Sequence, residues 1–131
     1  MITGISSNLQ ALSAFATSQA VTADNVANVN TDGYQSARVT LETGQGGTGV
    51  AVQEISRDQT PGPLRYEERP VETADGRTEG EWTAVEGGNV DLAAQMVHMT
   101  TDANAYFANL AAVRTQDRKS TRLNSSHRIR S

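Results

Sequence analysis

Cysteine is absent from this 131-residue chain, so it offers neither a disulfide framework nor a thiolate metal site, and the redox compartment is left open. Aromatic residues make up 5% and hydrophobic residues 37%. That is thin for a self-sufficient core and suits helices that bury their apolar stripes against something else. No apolar run approaches the roughly 18 residues of a membrane-spanning helix, so no membrane insertion is expected. Met1 to Gln10 has no basic flank and no small-residue cleavage site after an apolar core. It does not read as a cleavable secretory signal, and a route out of the cytoplasm is expected to leave the chain uncut. Histidine is scarce as well. His98, the only one outside the last fifteen residues, lies seven residues after Asp91 and four before Asp102. No nucleophile elbow accompanies it, and neither long helical segment has a His/Glu pair at metal spacing. His98 is read as a solvated or interface residue, and neither an enzyme nor a cofactor is expected.

Lysine appears once, at Lys119, and with Arg118, Arg122, Arg128 and Arg130 it places five of the eleven basic residues in the last fifteen positions. Asp117 to His127, Asp-Arg-Lys-Ser-Thr-Arg-Leu-Asn-Ser-Ser-His, resembles the in-frame translation of a common short-read sequencing adapter. Residues 117–131 are therefore read as an artefactual tail standing in place of native C-terminal residues. The competing reading is a basic, Ser-rich arm that binds nucleic acid. Without the tail, six positive charges face fourteen negative ones, a net of −8. So acidic a chain is not expected to bind nucleic acid.

What the chain does have is two matching stripes. Ile5, Leu9, Leu12, Ala16, Gln19, Ala23 and Val26 are spaced alternately by four and three residues, and so are Leu92, Met96, Met99, Ala103, Tyr106, Leu110 and Val113. This is the spacing of a coiled-coil seam, although an ordinary amphipathic helix fits it almost as well. Phe15 and Ala20 widen the first stripe; Val97 and Phe107 flank the second. Each spans about 30 to 35 Å at 1.5 Å per residue, and helices of equal reach are expected to pair antiparallel. Asn89 is read as the N-cap of the second helix, with Asp91 placed favourably for its dipole.

Between the stripes the period changes to two. Ala37, Val39 and Leu41 alternate with polar residues, as do Val50 and Val52, around the glycine-rich run 44–49. Two short strands joined by a flexible loop are predicted; a phosphate-cradling loop is rejected because no Lys-Ser/Thr follows. Pro61-Gly62-Pro63 breaks the second strand, and Leu64 and Tyr66 allow a short edge strand. Residues 67–81, rich in Glu and nearly free of apolar side chains, read as a mobile acidic loop that cannot hold its carboxylates at the fixed separation that acid/base or metal chemistry needs. Trp82, the only tryptophan, is predicted to pack the hairpin against the helices. The fold class expected is mainly α with a small β part, its terminal helices paired as a coiled-coil hairpin. The division is 1–32 for the N-terminal helix, 33–88 for the β-rich middle, 89–116 for the C-terminal helix and 117–131 for the tail.

Asn25 to Tyr34 reads Asn-Val-Ala-Asn-Val-Asn-Thr-Asp-Gly-Tyr. Gly33 can take positive φ where the first helix ends, and Asn30, Thr31 and Asp32 suit the turn. The run also resembles the N-terminal motif of bacterial flagellar rod and hook proteins, Asn-x-Ala-Asn-x-Asn-Thr-x-Gly-Tyr, at Asn25, Ala27, Asn28, Asn30, Thr31, Gly33 and Tyr34. Asn89, Val90, Asp91 and Leu92 open a segment similar to that family's C-terminal Asn-Val-Asp-Leu-x-x-Glu-Met-Val, with Gln95 in place of Glu. Ala105 to Asn109 is similar to its Ala-Tyr-x-Ala-Asn. The resemblance implies a structural, axial subunit of the flagellar basal body, exported unfolded by the flagellar export apparatus. Its paired helices would form the inner layer of a helical tube with copies and other axial proteins as partners, and the short middle segment favours a rod subunit. The alternative is a small helical-hairpin adaptor or export chaperone that binds a partner's amphipathic helix.

Overall fold

The computed structural model describes residues 2–130, with side-chain surroundings for 4–123. Its order is α1 (Ile2–Ala27), β1 (Ala37–Thr43), β2 (Val50–Arg57), β3 (Leu64–Glu72), β4 (Thr78–Glu86) and α2 (Leu92–Arg130). Helix α1 ends as its polar residues begin to bond locally: the Asn28 N–H donates to the carbonyls of Asp24 and Asn25, and that of Thr31 to Asn28. Gly33 then takes φ of 67°, which a side chain would resist. Helix α2 starts at a cap, but not the predicted one. Asp91 Oδ1 accepts from the Ala94 N–H at 3.1 Å, the N-cap bond, while Asn89 lies outside the helix and bridges loops.

The strands form two separate two-stranded antiparallel sheets, β1-β2 and β3-β4. The first runs from Ala37 opposite Arg57 to Thr43 opposite Val50, with an irregularity between Thr40 and Leu41, and it packs on α1. The second runs in unbroken register from Leu64 opposite Glu86 to Glu72 opposite Thr78.

This second hairpin corrects the expected fold class. With four strands of seven to nine residues between the helices, the β part is substantial rather than small, and residues 67–81 lie mostly within it instead of forming a mobile acidic loop. The physical reason is local. Charge does not forbid a solvated ribbon, since Arg69 faces Glu81 across the strands, an opposite-charge pair that favours the register. Thr73 closes on Arg77, and Gly76 at φ of 77° completes the turn. Asp75-Gly76 between alternating segments was the readable sign.

The helix pairing is corrected as well. The terminal helices do lie antiparallel, but not as an apolar coiled-coil hairpin, because the side chains that link them are polar. Asn25 meets Gln95 at 2.9 Å, Ser18 meets Asp102 at 2.5 Å and Asn8 meets Gln116 at 3.3 Å. On α2 these positions fall seven and fourteen residues apart, the repeat that keeps side chains on one helical face. Among the described residues the buried apolar set is small: Ala11, Leu12, Ala14 and Val85. Trp82, expected against the helices, is 68% exposed on β4 instead, because β3 and β4 pack chiefly on each other.

Candidate functional site

The motif residues of the two chain ends meet in one junction. Asn25 is 1% exposed, and its amide makes four bonds there. Its Oδ1 accepts from the Ala37 N–H at 2.8 Å and from the Tyr34 hydroxyl at 3.1 Å. Its Nδ2 donates to the Ala37 carbonyl at 2.7 Å and to Gln95 Oε1. One side chain thus ties α1 to the turn, to the start of β1 and to α2, and all of its bonding capacity is used. Gln95 serves here as a neutral acceptor.

Asn89 does the same from the other side. Its Oδ1 accepts from the Ser36 N–H at 2.7 Å, its Nδ2 donates to the carbonyls of Asp58 and Thr60, both at 2.8 Å, and its own N–H reaches the Tyr34 carbonyl. Asn28 and Thr31 bond to each other within the turn, whereas Ala27, Asn30 and Gly33 are exposed. The base of the β3-β4 hairpin is clamped to this turn: the Gly33 N–H donates to the Glu86 carbonyl and Arg65 pairs with Asp32 at 2.7 Å, while the Gly87 N–H donates to the Pro63 carbonyl and closes the base itself. The carboxylates of Glu67 and Asp32 raise the Arg65 pKa above its ordinary value. Hydrogen bonds from Thr60 hold the Asp58 carboxyl below its own.

The predicted seam residues are spread around the pair rather than gathered in it. Leu12 is buried; Ile5, Val26, Met99, Ala103, Tyr106, Leu110 and Val113 are half-buried; Leu9, Ala16, Ala23, Leu92 and Met96 are exposed. With Val97 and Phe107, both about two-thirds exposed, they leave apolar surface beside the polar links. An open groove of about 390 Å³ runs between the helices, lined by Phe15, Ala16, Gln19, Ala20, Ala23, Asp102 and Tyr106. Gln19 Oε1 is the one buried side-chain atom without a hydrogen-bond partner among the described residues. His98 is exposed beside Gln95 and Arg38. No cluster of three or more metal-ligating residues occurs among the described residues, and no described helix is long and apolar enough to cross a membrane.

The class defined here is a protein whose two ends form one antiparallel helical unit, cross-linked by polar side chains, with a β segment inserted between them. Residues 5–35 match the family described as flagella basal body rod protein, and residues 83–126 match the flagellar basal body rod FlgEFG protein C-terminal family. No curated protein matches the chain. The chain belongs to the flagellar basal body rod and hook family, whose members are structural, and its place is the basal body of the bacterial flagellum. The second match extends ten residues beyond Gln116, into the stretch that resembles adapter translation.

Proposed function

We propose that the chain is a rod subunit that builds a helical tube by packing its terminal helices, residues 1–32 and 89–116, against those of copies and other axial proteins. Residues 33–88 would face outward, and the tail from Asp117 would add nothing native. The observation that carries this reading is that polar rungs occupy the helix-helix contact while Leu9, Met96 and Val97 stay exposed. A pair closed by polar groups gains little from the hydrophobic effect, whereas each large apolar side chain covered by a neighbour contributes about 1.5 to 3 kcal/mol. Heterologous contacts generate an open helical filament when the rotation between subunits does not close a ring, and a rod subunit takes the open case. Weak helices that complete themselves on assembly also suit passage, unfolded and uncut, through the export apparatus.

The open groove favours one other reading, an adaptor that takes a partner's helix. Sedimentation of the full chain over a range of concentrations separates the two: a rod subunit grows without a fixed end point, and an adaptor stops at a dimer or a one-to-one complex. Leu9→Asp combined with Leu110→Asp is expected to abolish both growth and swimming. Normal motility of that variant would remove the helices from the assembly.

A further inference from the structure

One face of the β3-β4 hairpin carries its largest apolar side chains, and no described residue covers them. Opposed residues share a face, so Leu64, Tyr66, Glu68 and Pro70 lie with Glu86, Ala84, Trp82 and Gly80 on one side of the ribbon, the apolar ones between Glu86 and Glu68. Leu64 is 65% exposed, and Tyr66 and Trp82 are each 68% exposed. A lone two-stranded hairpin is marginal in water. This one is nevertheless tied to the turn at its base by the Arg65–Asp32 pair and the Gly33 bond to Glu86. The Glu68 carboxylate leans across Gly80 beside Trp82 and joins no ion pair among the described residues.

A complementary surface exists on the same chain, out of reach. Phe107, Leu110, Ala111, Arg114 and Thr115, together with Arg118 of the tail, line a shallow depression of about 280 Å³ on α2. Arg114 is the only Arg or Lys on either helix before the tail, and it too joins no ion pair among the described residues. It lies about 33 Å along α2 from Leu92, whereas Trp82 and Glu68 sit only about 13 Å out from the hairpin base. The two surfaces therefore cannot meet within one molecule. Between them α2 carries one carboxylate, Asp102, and that is turned into the helix pair. A hairpin holding seven acidic and three basic residues between Leu64 and Glu86 meets no exposed acid between Leu92 and Arg114; the next carboxylate, Asp117, belongs to the tail.

We propose that the Tyr66–Trp82 face of each hairpin docks on the Phe107–Arg114 face of α2 in a second copy, with Glu68 set against Arg114. A patch near one end of the molecule bound to a patch farther along the next is heterologous, and it continues into a filament wherever the rotation between copies does not close a ring. The proposal rests on the rod-subunit reading and is tested so that the two can fail separately. Trp82 is the only tryptophan, so its emission and its quenching by acrylamide report the face directly in the full chain. Association is expected to shift the emission to the blue and lower the quenching several-fold. Glu68→Arg and Arg114→Glu are each expected to weaken association about tenfold, with recovery when the two are combined. An assembly that grows while Trp82 stays as quenchable as in the monomer overturns the docking and spares the rod reading. Shielding of Trp82 only by an added oligosaccharide such as chitohexaose overturns it in favour of a glycan platform. Absence of any assembly overturns both.

Discussion

Replacing Asn25 with alanine tests the junction at its centre. The side chain is buried and makes four bonds, and its loss leaves the Ala37 N–H and carbonyl without partners at the start of β1. A buried orphan group costs about 1 to 3 kcal/mol, while Tyr34 and Gln95, less buried, recover part of their loss from water. The expected destabilisation is about 3 to 5 kcal/mol, a large share of the 5 to 15 kcal/mol typical of a domain. Urea unfolding followed by circular dichroism is expected to show a midpoint lower by about 2 M at unchanged slope. Asn25→Asp sharpens the test. A carboxylate would turn one oxygen toward the Ala37 carbonyl and Gln95 Oε1, where the amide now donates, so its folded pKa is raised above its unfolded one. Destabilisation is then full above the folded pKa and relieved as pH falls below it, a trend the alanine variant lacks. A loss under about 1 kcal/mol in Asn25→Ala, or no difference between the two pH profiles, would refute the junction as the structural tie.

Gly62→Ala places a methyl group against the Gly87 carbonyl, so the hairpin base is expected to open; limited proteolysis should then cut within 64–86 faster, with α1 and α2 still protected. Asp58, whose pKa is lowered by Thr60, contributes stability that is present above the ordinary Asp range and lost as pH falls through its depressed folded value. Thr60→Ala is expected to flatten that acid-side dependence slightly, as read from thermal midpoints between pH 5 and 2.

Much of the plan was legible because it rests on local chemistry. The helix end at Asn28, the turn at Gly33 and the strand alternation of 37–41 with 50–52 follow from side chains bonding or packing near their own backbone. The second hairpin is hidden from a reading of hydrophobic content because its strands are charged; only the alternation and the Asp75-Gly76 turn carry it. The N-cap went to Asp91 because Asn89 was already engaged by Ser36, Asp58 and Thr60, partners as much as 53 residues away in sequence.

The two long helices, the turn and the family motifs follow from residue order alone, since periodicity and glycine placement act over a few residues. Only the tertiary structure decided which face of each helix meets the other. Spacing alone marks several possible stripes, and the buried amide of Asn25 with its partner Gln95 selects among them, because an unpaired polar group costs more than an apolar side chain left for a neighbour to cover.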